Sequence, residues 1–145
     1  MRNVLPALGL LFCVCGWANE TRLTFTMRSA VDCPILIAET APSKDYGFQK
    51  VIIRNDARRA ISAINLRVVL INGSGDEEML DAAGIALQIE PGERKTIDLG
   101  LARIEQLKEI AAKAGLTWIR AVLYAERVYF ADGSHWDEHP SRDPK

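Results

Sequence analysis

Histidine is nearly absent from this chain: 145 residues include two, His135 and His139, both close to the carboxyl end. No Gly-x-Ser-x-Gly turn accompanies them, so the nucleophile elbow of the serine hydrolases is missing. No glycine-rich loop follows a strand-like run, which removes the phosphate cradle of nucleotide-binding folds. Cysteine is scarce as well. Cys13 and Cys15 fall in the first eighteen residues, and Cys33 alone lies beyond them. One thiol cannot make an internal bridge, so stability must come from packing. Cys33 is then either a small buried hydrophobe or a link to another chain. An excess of one charge is also lacking: 18 Lys plus Arg stand against 19 Asp plus Glu. A protein that reads nucleic-acid phosphates would show a basic excess.

No apolar run reaches the roughly 20 residues of a membrane-crossing helix. The amino end instead reads MRNVLPALGLLFCVCGWA, with Arg2 opening an apolar stretch from Val4 to Trp17. Gly16 and Ala18 occupy the small-residue positions of a cut before Asn19, and polar Asn19-Glu20-Thr21 follows. These are the parts of a secretory signal peptide, expected over residues 1–18. Phe12 and Val14 precede the two early cysteines where lipid attachment wants a small residue, which argues against a lipoprotein. The expected location is periplasmic or secreted. A chain from 19 onward has the length of one domain, and 48% hydrophobic residues support a real core.

Beyond the signal, period-two alternation dominates. Leu23, Phe25 and Met27 alternate with Arg22, Thr24, Thr26 and Arg28, as in a half-buried strand. The run Val31–Ala38 contains Pro34, which suits a sheet edge or a bulge. Tyr46–Arg54 reads as a strand with Tyr46, Phe48 and Ile52 on one face and Val51 and Ile53 on the other. Ala60–Asn72 has a clean inner face of Ile64, Leu66, Val68 and Leu70. Ile85–Glu90 alternates again; Pro91-Gly92 turns, and Arg94–Leu99 is expected to return as its partner. From Leu101 the spacing becomes three and four: Leu101, Ile104, Leu107, Ile110, Ala111 and Ala114 predict a helix over 101–114, with Asp98 near its start and Gly115 ending it. In Thr117–Phe130 the apolar phase switches from Ile119, Ala121, Leu123 and Ala125 to Val128 and Phe130. That requires a bulge near Glu126-Arg127. Asp132-Gly133 signals a hairpin into Ser134–Asp137, and 138–145 forms a tail. The fold class is all-β: an antiparallel sandwich of about seven or eight strands, spanning 19–137, with one inserted helix. A small β-barrel is the alternative.

The segments FQKVIIRNDARRAISAINLRVVLIN, IEPGERKTIDLG and VYFADGSHW resemble small secreted bacterial domains with an immunoglobulin-like or fibronectin-III-like sandwich, the FxLYD-type domains among them. The resemblance spans roughly residues 46–137 and rests on turn and packing signals. The helix and the missing cysteine pair depart from it. It implies a binding or structural module and carries over no catalytic residues.

Candidate sites are few. His135, Asp137, Glu138 and His139 have the chemistry of metal ligands, but an extended segment broken by Pro140 does not align the two imidazoles. Asp76, Glu77, Glu78 and Asp81 lack the alternation and fixed glycine of a calcium loop. Arg54, Arg58, Arg59 and Arg67 could meet an acidic partner or phosphate at one end. Trp118, Tyr124, Tyr129, Phe130 and Trp136 could present a sheet face, with Tyr129 and Trp136 opposed across the last hairpin. Asn19-Glu-Thr21 and Asn72-Gly-Ser74 match the glycosylation acceptor pattern. No catalytic, cofactor or metal residue is assigned. The expectation is an exported non-enzymatic module that binds an envelope or extracellular protein. The alternative is metal or small-ligand binding at the His135–His139 end.

Overall fold

The computed structural model describes residues 21–39 and 42–138. The expected signal peptide and residues 139–145 of the expected tail lie outside the described residues. Eight strands and one helix occur among the described residues: β1 (Arg22–Met27), β2 (Ile35–Glu39), β3 (Tyr46–Asn55), β4 (Ile61–Ile71), β5 (Glu77–Ile89), β6 (Arg94–Arg103), α1 (Ile104–Ala114), β7 (Trp118–Phe130) and β8 (His135–Asp137).

They form two sheets, one ordered β1-β7-β4-β5 with β8 also on β7, the other β2-β3-β6. β4 takes one side of β7 from Arg120 to Phe130. β1 and β8 share the other, β1 opposite Trp118–Leu123 and β8 opposite Arg127–Tyr129. β3 pairs β6 in one sheet while β4 pairs β7 in the other. The β3–β4 and β6–β7 connections therefore both cross between the two sheets of a β-sandwich. The barrel alternative fails because the sheets remain separate. All pairings are antiparallel except β1 with β7, which is parallel.

The core fills the space between the sheets. Ile64, Leu66, Val68, Leu123 and Val128 face Phe48, Val51 and Ile53, with Leu107 and Ala111 of α1 closing one end. The phase switch in β7 is a bulge: Leu66 opposes Ala125 and Asn65 opposes Arg127, leaving Glu126 as the extra residue. A second irregularity lies in β3 between Phe48 and Lys50. It puts Phe48 on the buried side with Val51 and Ile53, so the expected grouping of Phe48 with Tyr46 and Ile52 is corrected.

Three further corrections concern β5, β6 and α1. β5 starts at Glu77 rather than Ile85. β6 does not pair with it; the chain at Pro91-Gly92 leaves one sheet for the other. The helix starts at Ile104 rather than Leu101. Leu101 and Ala102 are buried strand residues of β6, with Leu101 opposite Phe48. Pairing with β3 overrides the helical spacing. Asp98 does not cap the helix: it sits on β6 within 3.8 Å of Lys50, and the Ile104 N–H donates to the Asp45 carbonyl. Gly115, at φ 65°, ends α1, and the Leu116 N–H donates to the Ala111 carbonyl.

Asn55 is the one buried polar residue among the described residues. Its Nδ2 donates to the carbonyls of Arg59 (2.8 Å) and Ile89 (2.9 Å), and its Oδ1 accepts from the Ala57 N–H (2.9 Å). Its backbone bonds the Glu93 carbonyl and the Gly92 N–H. Asn55→Asp keeps the shape but faces two carbonyls with an oxygen. At neutral pH it should cost on the order of 3 kcal/mol. The buried carboxyl's folded pKa lies above its unfolded value. The variant should therefore recover stability in acid and lose it as pH rises through the folded pKa. Urea melts of both proteins at several pH values check this.

Gly47 is buried under Phe25, whose ring meets Phe48 edge-on at 5.5 Å between centroids. A Cβ at position 47 would clash with the Phe25 ring at its Cε1 atom. Gly47→Ala should cost about 1–3 kcal/mol by overpacking. Gly84→Ala, where the new methyl meets only Asn65 Oδ1 at 3.4 Å, should stay within about 0.5 kcal/mol. Thermal denaturation of the two variants decides.

Candidate binding surface

The strands place the expected site residues on several surfaces and do not gather them. His135 and Asp137 point the same way from β8, with His135 Nε2 3.3 Å from Asp137 Oδ2. Asp137 is held by Arg127, which reaches it through Nε and, at 3.3 Å, through Nη2. Glu138 turns to Arg28. His139 lies outside the described residues. Among the described residues, no three His, Cys, Asp or Glu side chains converge for a metal ion.

Arg54, Arg59 and Arg67 do not make one basic patch, because a carboxylate offsets each. Arg54 pairs with Asp56, Arg59 with Asp132 at 3.3 Å, and Arg67 with Glu126 at 2.6 Å. Arg59 also stacks on Phe130, its Cζ 3.8 Å from the ring centroid, and donates to Ser134 Oγ at 2.6 Å. Arg58 is exposed in the loop before β4. On the outer face of the larger sheet, Arg28 lies over Tyr124 at 4.3 Å and pairs with Glu77 and Glu138. This node links β1, β5 and the end of β8, and no local pattern of residues announces it.

The aromatics scatter too. Phe130 is buried, Tyr124 lies under Arg28, and Trp118 is 40% exposed at the start of β7. Trp136 opposes Val128, not Tyr129, and its Nε1 donates to Asp32 at 3.1 Å; Tyr129 faces His135. Cys33 is half-buried against the core. Burial pushes its thiol pKa up, despite a bond from Ser29, which disfavours the nucleophilic thiolate.

The acidic run is split by strand geometry. Asp76 belongs to the β4–β5 turn, where Asn72 Oδ1 accepts from the Ser74 and Asp76 N–H groups; Glu77, Glu78 and Asp81 lie along β5. Asp81 turns inward, and its Oδ2 accepts the N–H of Ala102, a residue at φ 60°. Two clefts flank α1. One, of about 340 Å3, has Leu70, Ile110, Leu116 and Ile119 among its walls and Asp76, Glu77 and Glu78 at its rim. The other, of about 440 Å3, is polar, lined in part by Lys44, Arg103 and Lys108.

Comparisons with protein-family models, with curated proteins and with solved structures find no match for the chain.

The sheet edges differ in how they meet solvent. β2 has five residues and follows Pro34. β6 carries Arg94, Lys95, Asp98 and Arg103. The β1–β8 flank is shared by two short strands. β5 is long, thirteen residues, and pairs on one side only, with β4. Its outer face between Asp81 and Gln88 is Ala82, Gly84 and Ala86, all exposed. Charges, prolines and shortness are the usual means by which proteins blunt such edges, and this stretch has none of them. Ala and Gly are weak strand formers, so the alternation that marked Ile85–Ile89 did not mark 77–84.

Asp132 shows how the last hairpin responds to acid. Ser134 donates to it through Oγ and through its N–H at 2.9 Å, and these bonds, with Arg59, hold its carboxyl below the usual carboxylate range. A depressed folded pKa gives stability that is present above the unfolded value, about 3.9, and lost as pH falls through the folded one. Asp132→Asn should flatten the fall of the thermal midpoint below pH ~4. A fall as steep as that of the unaltered protein would remove Asp132 from the acid response.

Proposed function

We propose that this chain is an exported, non-catalytic binding module of the immunoglobulin-like kind, related in design to the FxLYD-type domains, acting on a protein of the cell envelope or exterior. The open β5 edge carries this reading. A strand whose outward N–H and C=O groups face solvent is a template for a further strand, and main-chain hydrogen bonds of that kind give affinity without a deep pocket. The signal-like amino end supports a partner outside the cytoplasm. Arg54, Arg59 and Arg67 are each offset by a carboxylate, and Cys33 is half-buried against the core, so these four side chains serve the structure.

Cross-linked pull-down from native cells, with the protein as secreted for bait, tests the reading. One envelope or secreted protein should be recovered repeatedly. Recovery of none, under cross-linking that traps known envelope complexes, would remove the protein-partner reading.

A further inference from the structure

The β5 edge has a definite chemistry. From Ala82 to Ala86 its register with β4 runs without a break, Ala82 opposite Arg67 through Ala86 opposite Ala63. The Ala82 N–H donates to Asp81 Oδ1 at 2.9 Å, so residue 82 turns its amide away from β4. In an antiparallel ladder alternate residues turn their N–H and C=O the same way, so Gly84 and Ala86 also present theirs to the open side. Lys95 reaches the Gln88 carbonyl and closes the edge there. With the Ala82 N–H taken by Asp81, the open stretch is Ala83–Leu87. Its outer positions, Gly84 and Ala86, leave room for a neighbour. Its inner ones, Ala83, Ile85 and Leu87, are half-buried against the core, apolar surface that an added strand would cover.

Charge selects the occupant. From Asp76 to Glu90 the chain carries Asp76, Glu77, Glu78, Asp81 and Glu90 and no Lys or Arg. A second copy pairing antiparallel on this edge would bring the Glu77-Glu78 end of one strand onto the Glu90 end of the other. Like charges facing across strands are destabilising. Resting on the binding-module reading, we propose that the β5 edge takes an extended segment of a partner protein that carries Lys or Arg at both ends of a short stretch of alternating small and apolar residues. Its backbone pairs with Gly84 and Ala86, its apolar side chains cover Ile85 and Leu87, and its cations meet Glu78 at one end of β5 and Glu90 at the other, Glu77 being held by Arg28 and Asp81 by the Ala102 N–H.

A synthetic peptide of alternating Val and Thr with a Lys pair at each end is the probe. Its binding to the protein as secreted is read by amide hydrogen exchange and by titration. Bound peptide should slow exchange at Gly84 and Ala86 and weaken in high salt. Ala86→Pro, which removes an outward donor, should weaken it at least about tenfold. The exposed double change Ala82→Lys with Ala86→Lys, which leaves the β4 ladder intact, should do the same by repelling the Lys ends. The inference is overturned if the peptide protects another edge, if a peptide with Glu in place of Lys binds equally well, if no peptide binds, or if the protein forms a dimer protected at β5. If the natural partner is still pulled down with full yield by the double variant, the binding-module reading stands and the β5 assignment falls.

Discussion

The amide of Asn55 is where the fold is tied. One side chain joins the end of β3, the loop before β4 and the last residue of β5, while its backbone holds the Gly92-Glu93 turn. All of it is buried, and a buried amide left unpaired costs the full desolvation of each lost bond. The alternative in which β5 folds back on β6 as a hairpin has no place for that amide. With Ile89 and Glu93 both fixed to Asn55, the chain must leave one sheet and enter the other at Pro91-Gly92. This crossing is what leaves β5 without a neighbour on its outer side. The core constraint and the open edge are one feature seen from two sides.

Where local chemistry and tertiary pairing agree, the sequence was legible. The phase switch of β7 demanded a bulge, and Glu126 is its extra residue. Gly115 and Asp132-Gly133 ended the helix and turned the hairpin for reasons internal to a few residues. Legibility failed where partners far along the chain decide. Leu101 continues a helical spacing toward Ala114 and yet pairs with Phe48. Phe48 changes face because of an irregularity that its own alternation does not announce. The candidate surface suffered most: the Ala-Ala-Gly centre of β5 has little strand propensity, and only β4, whose alternation is strong, gives it a partner.

The charged surface follows a different logic from the core. Arg28, Arg54, Arg59, Arg67 and Arg127 each meet a carboxylate, and Arg28 and Arg59 lie over aromatic rings as well. Exposed pairs of this kind contribute about 0–1 kcal/mol each. They keep guanidinium groups from forming one basic field more than they hold the sheets together. The two sheets are held by Ile64, Leu66, Val68 and Leu123 against Phe48, Val51 and Ile53.

That division explains how a small domain can leave one long edge open. A strand edge that the core does not need can be left without Lys, Pro or shortening, at the risk of unwanted pairing. Glu78 and Glu90, at the two ends of β5, limit that risk selectively: they oppose another β5 and favour a cationic segment. The chain guards its other edges by other means, with charges along β6 and brevity in β2. A uniform solution would have placed Lys at Ala82 or Ala86, where the side chain is exposed and nothing in the packing forbids it. Small neutral residues at both positions therefore serve no packing need, and a strand laid beside them is the arrangement that uses what they leave open.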